Sequence, residues 1–380
     1  MINRFSLLWN GLTEFLSGVT LNPIKIILII HAAERTDKMT IKLGILDQSL
    51  QFEGETATEA FRHTVEIAKL AERLGYERFW VSEHHDNPRA AGTSPEVLIG
   101  YLLAQTERIR LGSGGVMLQH YSPYKVAENF NVLAALAPGR VELGVGRAPG
   151  GLPNSTRALQ QGVSDPASLS DKLAELERYL HNRLPEDHPL HGLRAYPAVD
   201  RPAELYVLGT SVASAELAAE AGHPYVFALF INGDEAVAEA AFAAYRSRFG
   251  GARRSSPRLI AALSVVVAET DAEAAELTGE MQNVKIRLES GRTVTVGSLE
   301  HAEAFGKQAN EPFTIEVHEA NVTKGSKVTV RRRLLELAER LGVEELIVTT
   351  PVKDFGKRRR SFELLKDALA ELPAGSGERT

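Results

Sequence analysis

From Ile41 onward the apolar positions follow two rhythms, short continuous runs and longer stretches in which apolar residues recur every three or four positions. A run of four to eight apolar residues between turn residues predicts a buried strand, whereas recurrence at i, i+3 and i+4 predicts a helix with one apolar face. "IKLGILD" (41–47) is the first run, and Ile67, Leu70, Ala71 and Leu74 then mark a helix over 56–74 that Gly75 stops. "ERFWVS" (77–82), "RIRLGSGGV" (108–116) and "GRVELGVG" (139–146) are the next strands, with helices over 95–106 and 123–136 between them. Both of these helices open on Ser-Pro, Ser94-Pro95 and Ser122-Pro123, where a hydroxyl can cap free amides and proline needs no partner for its missing N–H.

The alternation continues with a helix over 168–182, strand "AELYVLG" (203–209), a helix over 211–221, strand "YVFALF" (225–230) and a helix over 234–247. "RLIAALSVVVA" (258–268) is apolar almost throughout, the mark of a strand covered on both faces. Residues 270–320 are rich in charge and show no clear period. A helix over 327–342, strand "EELIVTT" (344–350) and a helix over 360–371 complete the chain. Eight strand–helix units without a dividing linker predict a single α/β domain, a (β/α)8 TIM barrel with insertions. A doubly wound sheet alternates in the same way, but its nucleotide fingerprint fails. "LGVGRAPG" has Gly144 and Gly146 with Pro149 at the third glycine, and "LGSGGVM" has Gly112 and Gly114 with Met117 there.

Residues 1–38 do not resemble the rest of the chain. Their apolar run "IKIILII" is too short to span a bilayer, and Met39 stands just before the first strand, so they are expected to be a poorly packed extension or a start-site artefact. A formal charge of −6 gives no general reason to bind nucleic acid or an anionic membrane. The basic runs Arg331–Arg333 and Lys357–Arg360 read as solvated helix faces. The chain has no cysteine, which removes disulfides, thiolate nucleophiles and cysteine-ligated metals, and suits a cytoplasmic protein.

In such a barrel the site forms where strands end and helices begin. The candidates at those positions are Asp47 and Gln48, then Glu83, His84 and His85, then Met117, Gln119 and His120, then Arg147, then Gly209, Thr210, Ser211 and Ser214. The hydroxyls at Thr210, Ser211 and Ser214 surround a helix N-terminus, an arrangement that suits a phosphate dianion, with Arg147 supplying a planar charge; the same hydroxyls also serve as ordinary helix caps. His84 and His85 are adjacent, so on an extended chain they point opposite ways and do not share a metal. Either can donate a hydrogen bond or move a proton, or both can simply close the strand. His181, His188 and His191 lie in a proline-rich loop without metal-ligand spacing and read as surface.

Several stretches together resemble the bacterial-luciferase-like flavin monooxygenases, most closely the subgroup of the mensacarcin-biosynthesis monooxygenase. They are "LGILDQS", "ERLGYERFWVSEHH", "SPEVLIGYLLAQTERIRLGSGGVML", "PYKVAENFNVLAALAPGRVELGVGRAPG", "LPEDHPL", "LYVLGTSVASAELAAEAG" and "EELIVTTPVKD". The resemblance implies a two-component enzyme that binds FMN as FMNH2, adds O2 at the flavin C4a position as a (hydro)peroxide, and inserts one oxygen atom into a small organic substrate. It implies electrons from a separate NAD(P)H:flavin reductase, and a possible homodimer. Carried over by residue, it makes His84 the oxygenation residue with His85 and Glu83 beside it. Arg147, Gly209, Thr210, Ser211 and Ser214 become phosphate contacts; Asp47 and Met117, by their places after the first and third strands, are expected as further cofactor neighbours. Gly146 stands where the luciferase α subunit has a reactive cysteine, and Gln119 and His120 where the subgroup more often has Pro-Asn. Residues 270–320 fall where the family carries a mobile lid. Related barrels use F420 for hydride transfer, the alternative activity, and a flavin-binding protein without turnover is a third reading.

Overall fold

The computed structural model describes residues 40–163, 167–250, 257–279 and 281–370; the predicted extension over 1–38 lies outside them. Seven parallel strands, β1 (Lys42–Asp47), β2 (Arg78–Val81), β3 (Arg110–Met117), β4 (Val141–Gly146), β5 (Glu204–Gly209), β6 (Tyr225–Ala228) and β7 (Leu259–Val267), pair each with the next. Between them run the helices α1 (Ala57–Leu74), α2 (Pro95–Gln105), α3 (Pro123–Leu136), α4 (Pro153–Leu159), α5 (Leu169–Leu180), α6 (Val212–Ala221) and α7 (Glu235–Arg248).

After β7 come α8 (Asp271–Thr278), β8 (Gln282–Leu288), β9 (Thr293–Val296), α9 (Leu299–Ala309), β10 (Phe313–Glu319) and β11 (Val322–Gly325). Helix α10 (Lys327–Leu341) leads to β12 (Glu345–Thr349), and α11 (Phe355–Leu369) completes the series. β12 pairs in parallel with both β7 and β1, which closes an eight-stranded barrel as the alternation predicted.

Local chemistry explains most boundaries. α1 opens on a capping box in which Thr56 and Glu59 exchange side-chain and backbone bonds, and ends where Gly75, at φ 74°, turns its N–H back to Ala71 and Glu72. α2 and α3 begin at the expected prolines, but neither Ser94 nor Ser122 caps with its hydroxyl. Proline at the first position, with φ already helical and no N–H to satisfy, sets those starts. The last helix starts at Phe355 rather than 360, because Asp354 caps the amide of Lys357.

Inside the barrel, Leu46, Trp80, Tyr206, Val226, Ile260, Ala262 and Ile347 form one apolar cluster, each large side chain contributing about 1.5–3 kcal/mol by leaving water. Beneath it lies a charged network that the sequence did not announce. Arg78, fully buried, donates to Glu345 at 2.6 Å, to Glu142 at 2.7 Å and to the Tyr206 hydroxyl at 3.0 Å, and Trp80 donates its indole N–H to Glu142 at 2.7 Å. Arg258 joins Glu204 at 3.1 Å to Glu345 at 3.2 Å. These groups lie from just before to three residues into β2, β4, β5, β7 and β12, so they plug the end of the barrel opposite the strand C-termini.

The stretch read as aperiodic is regular. β8 pairs antiparallel with both β9 and β10, and α9 covers the sheet. Val284, Ile286, Leu288, Ala302 and Phe305 share a core with Leu152 from the segment after β4, so the insertion has its own apolar centre anchored on the barrel. Among the described residues no helix is long and apolar enough to cross a membrane.

Candidate functional site

β2 ends in a polar knot. Glu83 is fully buried, and its carboxylate accepts from three donors: His85 Nε2 at 2.7 Å, the Tyr121 hydroxyl at 2.8 Å and the backbone N–H of Met117 at 3.1 Å. A buried carboxylate is tolerable when its lone pairs are satisfied in this way. Burial, and then the charge of Glu83, push the Tyr121 pKa up, so the phenol keeps its proton and stays a donor. Tyr121 went unremarked in the sequence, because one more aromatic after His120 carries no spacing signal.

The neighbouring His84 lies largely inside the wall, with Nδ1 3.1 Å from the Ser82 hydroxyl. Burial, reinforced by His85 and opposed by Glu83, lowers its pKa to about 4. At neutral pH His84 is therefore an uncharged ring. His301, half-buried on α9, has its pKa lowered by burial as well, and stands near enough to His84 for a charge on one to be felt by the other. The insertion thus reaches the rim of the site with a histidine that sequence reasoning missed.

The backbone of the two strand-end loops is interlocked. His84 N–H donates to Gly92 O at 2.9 Å and His85 N–H to Gly150 O at 2.8 Å. Gly150 has φ 67°, and a Cβ at Gly151 would fall 2.3 Å from the His85 carbonyl oxygen, so this close approach needs glycine. Gln119 and His120, the two departures from the subgroup, both bind the segment after β4. Gln119 Nε2 donates to Ala148 O at 3.0 Å, and His120 Nε2 lies 2.8 Å from Pro149 O. A carbonyl only accepts, so His120 carries its proton on Nε2 and its Nδ1 receives the Gln160 amide at 3.1 Å. Burial lowers the His120 pKa, in keeping with that neutral form. Lys172 ties down the other side, donating to the carbonyls of Gln119 and Tyr121 at 2.9 Å each.

That segment carries Arg147, which is exposed and has neither hydrogen bond nor ion pair among the described residues. Arg147 comes directly after the last residue of β4, and Gly209 ends the adjacent β5, in register at Val145–Val207. Ser211 caps α6 by accepting from Ser214 N–H at 3.3 Å, while the Ser214 hydroxyl donates to Ser211 O at 2.7 Å and lies 2.9 Å from the Tyr225 hydroxyl. Two of the predicted phosphate hydroxyls are therefore committed to the helix cap. The hydroxyl of Thr210 has no such commitment among the described residues, and a side chain at Gly209 would fall 2.1 Å from Ser214 Oγ. An unpaired cation after β4, with a free hydroxyl, a tight glycine and a helix N-terminus at the end of the adjacent β5, fits a phosphate group.

Asp47 serves its own loop: its Oδ1 accepts from Ser49 N–H at 2.8 Å and the Thr64 hydroxyl at 2.7 Å. Met117 meets the knot through its backbone, with its side chain against Gly150. A recess lined by Phe52, Leu277, Val352 and Phe355 opens beside the loops after β1 and β12 and contains none of the predicted site residues. Of the surface histidine group, His188 is mostly covered and lies 3.3 Å from Glu175. No metal-binding cluster is present among the described residues.

The family model described as luciferase-like monooxygenase matches residues 41–345, a span that takes in the first seven barrel strands, the knot and the insertion and ends at the first residue of β12. A curated relative from Bacillus subtilis (strain 168), N-acetyl-S-alkylcysteine monooxygenase, is 44% identical over 330 residues, covering 87% of this chain and 98% of its own. The crystal structure of apo-MsnO8 is 35% identical with a TM-score of 0.72, covering 88% of this chain and 99% of that one. The oxygenating constituent of 3,6-diketocamphane monooxygenase from Pseudomonas putida, in complex with FMN, is 19% identical with a TM-score of 0.64, covering 87% and 98%, a likeness of fold alone.

Proposed function

Because this chain belongs to the luciferase-like monooxygenases, oxidoreductases that incorporate oxygen from O2, we propose that it is the oxygenating component of an FMN-dependent, two-component system acting on a small organic substrate. The observation that carries the cofactor is Arg147, a cation left unpaired at the end of β4 beside Thr210 and the start of α6. These residues would hold the FMN phosphate, and reduced FMN, when bound, would supply the electrons that activate O2. The protein's own part is to orient the ring system toward the end of β2, keep water away and manage protons with Glu83, His84, His85 and Tyr121. With no nicotinamide fingerprint in the chain, the electrons come from a separate NAD(P)H:flavin reductase. A cysteine-free chain fits a cytoplasmic setting.

The substrate class to assay first is that of the Bacillus relative, N-acetylated S-alkylcysteines, whose thioether sulfur accepts a single oxygen atom. In this reading the insertion covers the bound flavin, and proteolysis within 282–319 slows when FMNH2 is added. A second copy would cover the exposed apolar stripe of Val97 and Tyr101 on α2 with Val132 and Leu136 on α3. The deciding experiment is anaerobic titration with FMNH2 and with reduced F420, then addition of substrate and 18O2. FMNH2 binding with one labelled oxygen in the product bears the proposal out; binding of F420 alone, with no label transferred, sinks it in favour of hydride transfer.

A further inference from the structure

The chain carries four methionines and no cysteine. Two of these methionines fall among the described residues: Met281 stands just before β8 in the insertion, and Met117 is the last residue of β3. Met117 is therefore the one sulfur atom of the barrel mouth among those residues, and it is half-buried. It pairs in register with Gly146, directly before Arg147. A Cβ added at Gly150 would lie 3.1 Å from Met117 Cγ and 3.4 Å from His85 Cδ2, so the Met117 side chain lies where the segments after β2, β3 and β4 converge. Methionine often serves only to fill an irregular gap. Here its C–S–C group is also the reacting group of the substrate class put forward above.

We propose that Met117 is an oxidation site of the enzyme's own making: when no organic substrate occupies the mouth, oxygen is transferred to the Met117 sulfur, giving methionine sulfoxide. The proposal rests on the oxygenase reading above. In the net reaction FMNH2 gives up two electrons and two protons and ends as FMN; one atom of O2 bonds to the Met117 sulfur, and the other leaves as water. No bond of the methionine breaks. The product is a polar, chiral group where an apolar one stood, so it slows later turnovers, and methionine sulfoxide reductases reverse it.

Three further observations support this. The backbone around Met117 is fixed: its N–H donates to Glu83 Oε2 at 3.1 Å, and Lys172 holds the carbonyls of Leu118, Gln119 and Tyr121 at 3.2, 2.9 and 2.9 Å. The residue carrying the sulfur therefore cannot retreat from the mouth. Other oxidisable groups nearby are poorer acceptors, since Trp80 is fully buried with its N–H committed to Glu142, and the Tyr121 phenol is committed to Glu83. With no cysteine in the chain, no thiol competes for the oxygen. Met281, half-buried as well but placed in the insertion, is a built-in control for oxidant that has escaped into solution.

The test is a mass measurement on the protein itself. FMNH2 and 18O2 are supplied without organic substrate, with catalase present to destroy escaped peroxide, and the methionine peptides are weighed. Met117 is expected to gain one labelled oxygen while Met281 stays unlabelled. N-acetyl-S-methylcysteine at saturating concentration should take the label in its place, with a matching loss of label from Met117. Unlabelled hydrogen peroxide added without flavin should oxidise both methionines. Met117→Leu, a swap close in volume, should hold its rate through rounds of substrate-free turnover that slow the wild type, and a methionine sulfoxide reductase should restore the wild-type rate. Equal labelling of Met117 and Met281 overturns the proposal, because it marks a diffusing oxidant, as does a Met117→Leu enzyme that slows as much as wild type. A labelled free thioether with no label on Met117 overturns it too and leaves the oxygenase reading standing; binding of F420 alone with neither labelled overturns both.

Discussion

The two ends of the barrel hold polar clusters of similar composition that behave in opposite ways. At the strand N-termini, Arg78, Arg258, Glu142, Glu204, Glu345, Tyr206 and Trp80 bond among themselves, from the fully buried Arg78 out to the part-exposed Arg258 and Glu204. At the strand C-termini, Glu83, His85 and Tyr121 form a smaller knot that leaves one ring nitrogen open, and Arg147 nearby has no partner among the described residues. The first cluster spends most of its bonding capacity inside the protein, with only Arg78 Nη2 left over among its buried side-chain atoms. The second keeps more in reserve on its open side, which is where we propose that the ligand binds. Burial alone does not separate them, since Arg78 and Glu83 are equally covered.

That contrast can be broken most forcefully at Arg78. Arg78→Met strips the shared partner from Glu142, Glu345 and Tyr206, and should destabilise the protein by about 3–5 kcal/mol in urea unfolding. If the loss is below about 1 kcal/mol, the closed end is not held by its charges. Next in size is the pH response of His84. Its folded pKa lies near 4 against an ordinary 6.5, so the unfolded chain takes up the proton first. The stabilising difference is complete above about pH 6.5 and is lost as pH falls toward 4, by up to roughly 3 kcal/mol. Other buried histidines push the same way, so the measurement is the difference in slope between wild type and His84→Gln over that range.

Arg147→Ala sharpens the comparison from the other end. It should leave unfolding within about 0.5 kcal/mol of wild type, yet weaken FMNH2 by about 1.5–3 kcal/mol, or about 10- to 100-fold. Reduced riboflavin, which lacks the phosphate, should bind the variant and the wild type alike; equal losses for both ligands would place Arg147 away from the phosphate. The smallest effect is expected at Ser214→Ala, which keeps the Ser211 cap on the Ser214 amide but removes the return bond from Ser211 N–H to the Ser214 hydroxyl and the contact to Tyr225. A loss of about 1 kcal/mol in stability, with a smaller change in flavin binding, would confirm that this hydroxyl serves the helix.

The barrel was legible because each of its strands is a compact apolar run and each flanking helix carries a stop or start residue, as Gly75 and Pro95 show. The insertion was not, for a physical reason. Val284, Ile286 and Leu288 do alternate, but the outward positions hold Lys285 and Arg287, and β10 buries so little that its alternation is diluted by charge. A three-stranded sheet with one dry face looks like a charged loop when only averages are inspected. In the site, the histidine pair and Arg147 were visible as chemistry at strand ends. Their partners were not, because Tyr121, Gln160 and His301 are set in place by loops and by the insertion, and no short-range pattern encodes a contact 36 residues away. The network around Arg78 escaped for the same reason, its members being separated by as many as 267 positions.

The ribbon from Arg147 to Gly151 is tied at Ala148 to Gln119, at Pro149 to His120 and at Gly150 to His85. All three ties run to main-chain carbonyls, which every residue type carries, so the clasp constrains the path of the ribbon more than the identity of its side chains. Exchange at Ala148 or Pro149 should therefore be tolerated across descendants of this chain, whereas drift should stall at Gly151, which has no room for a Cβ beside the His85 carbonyl.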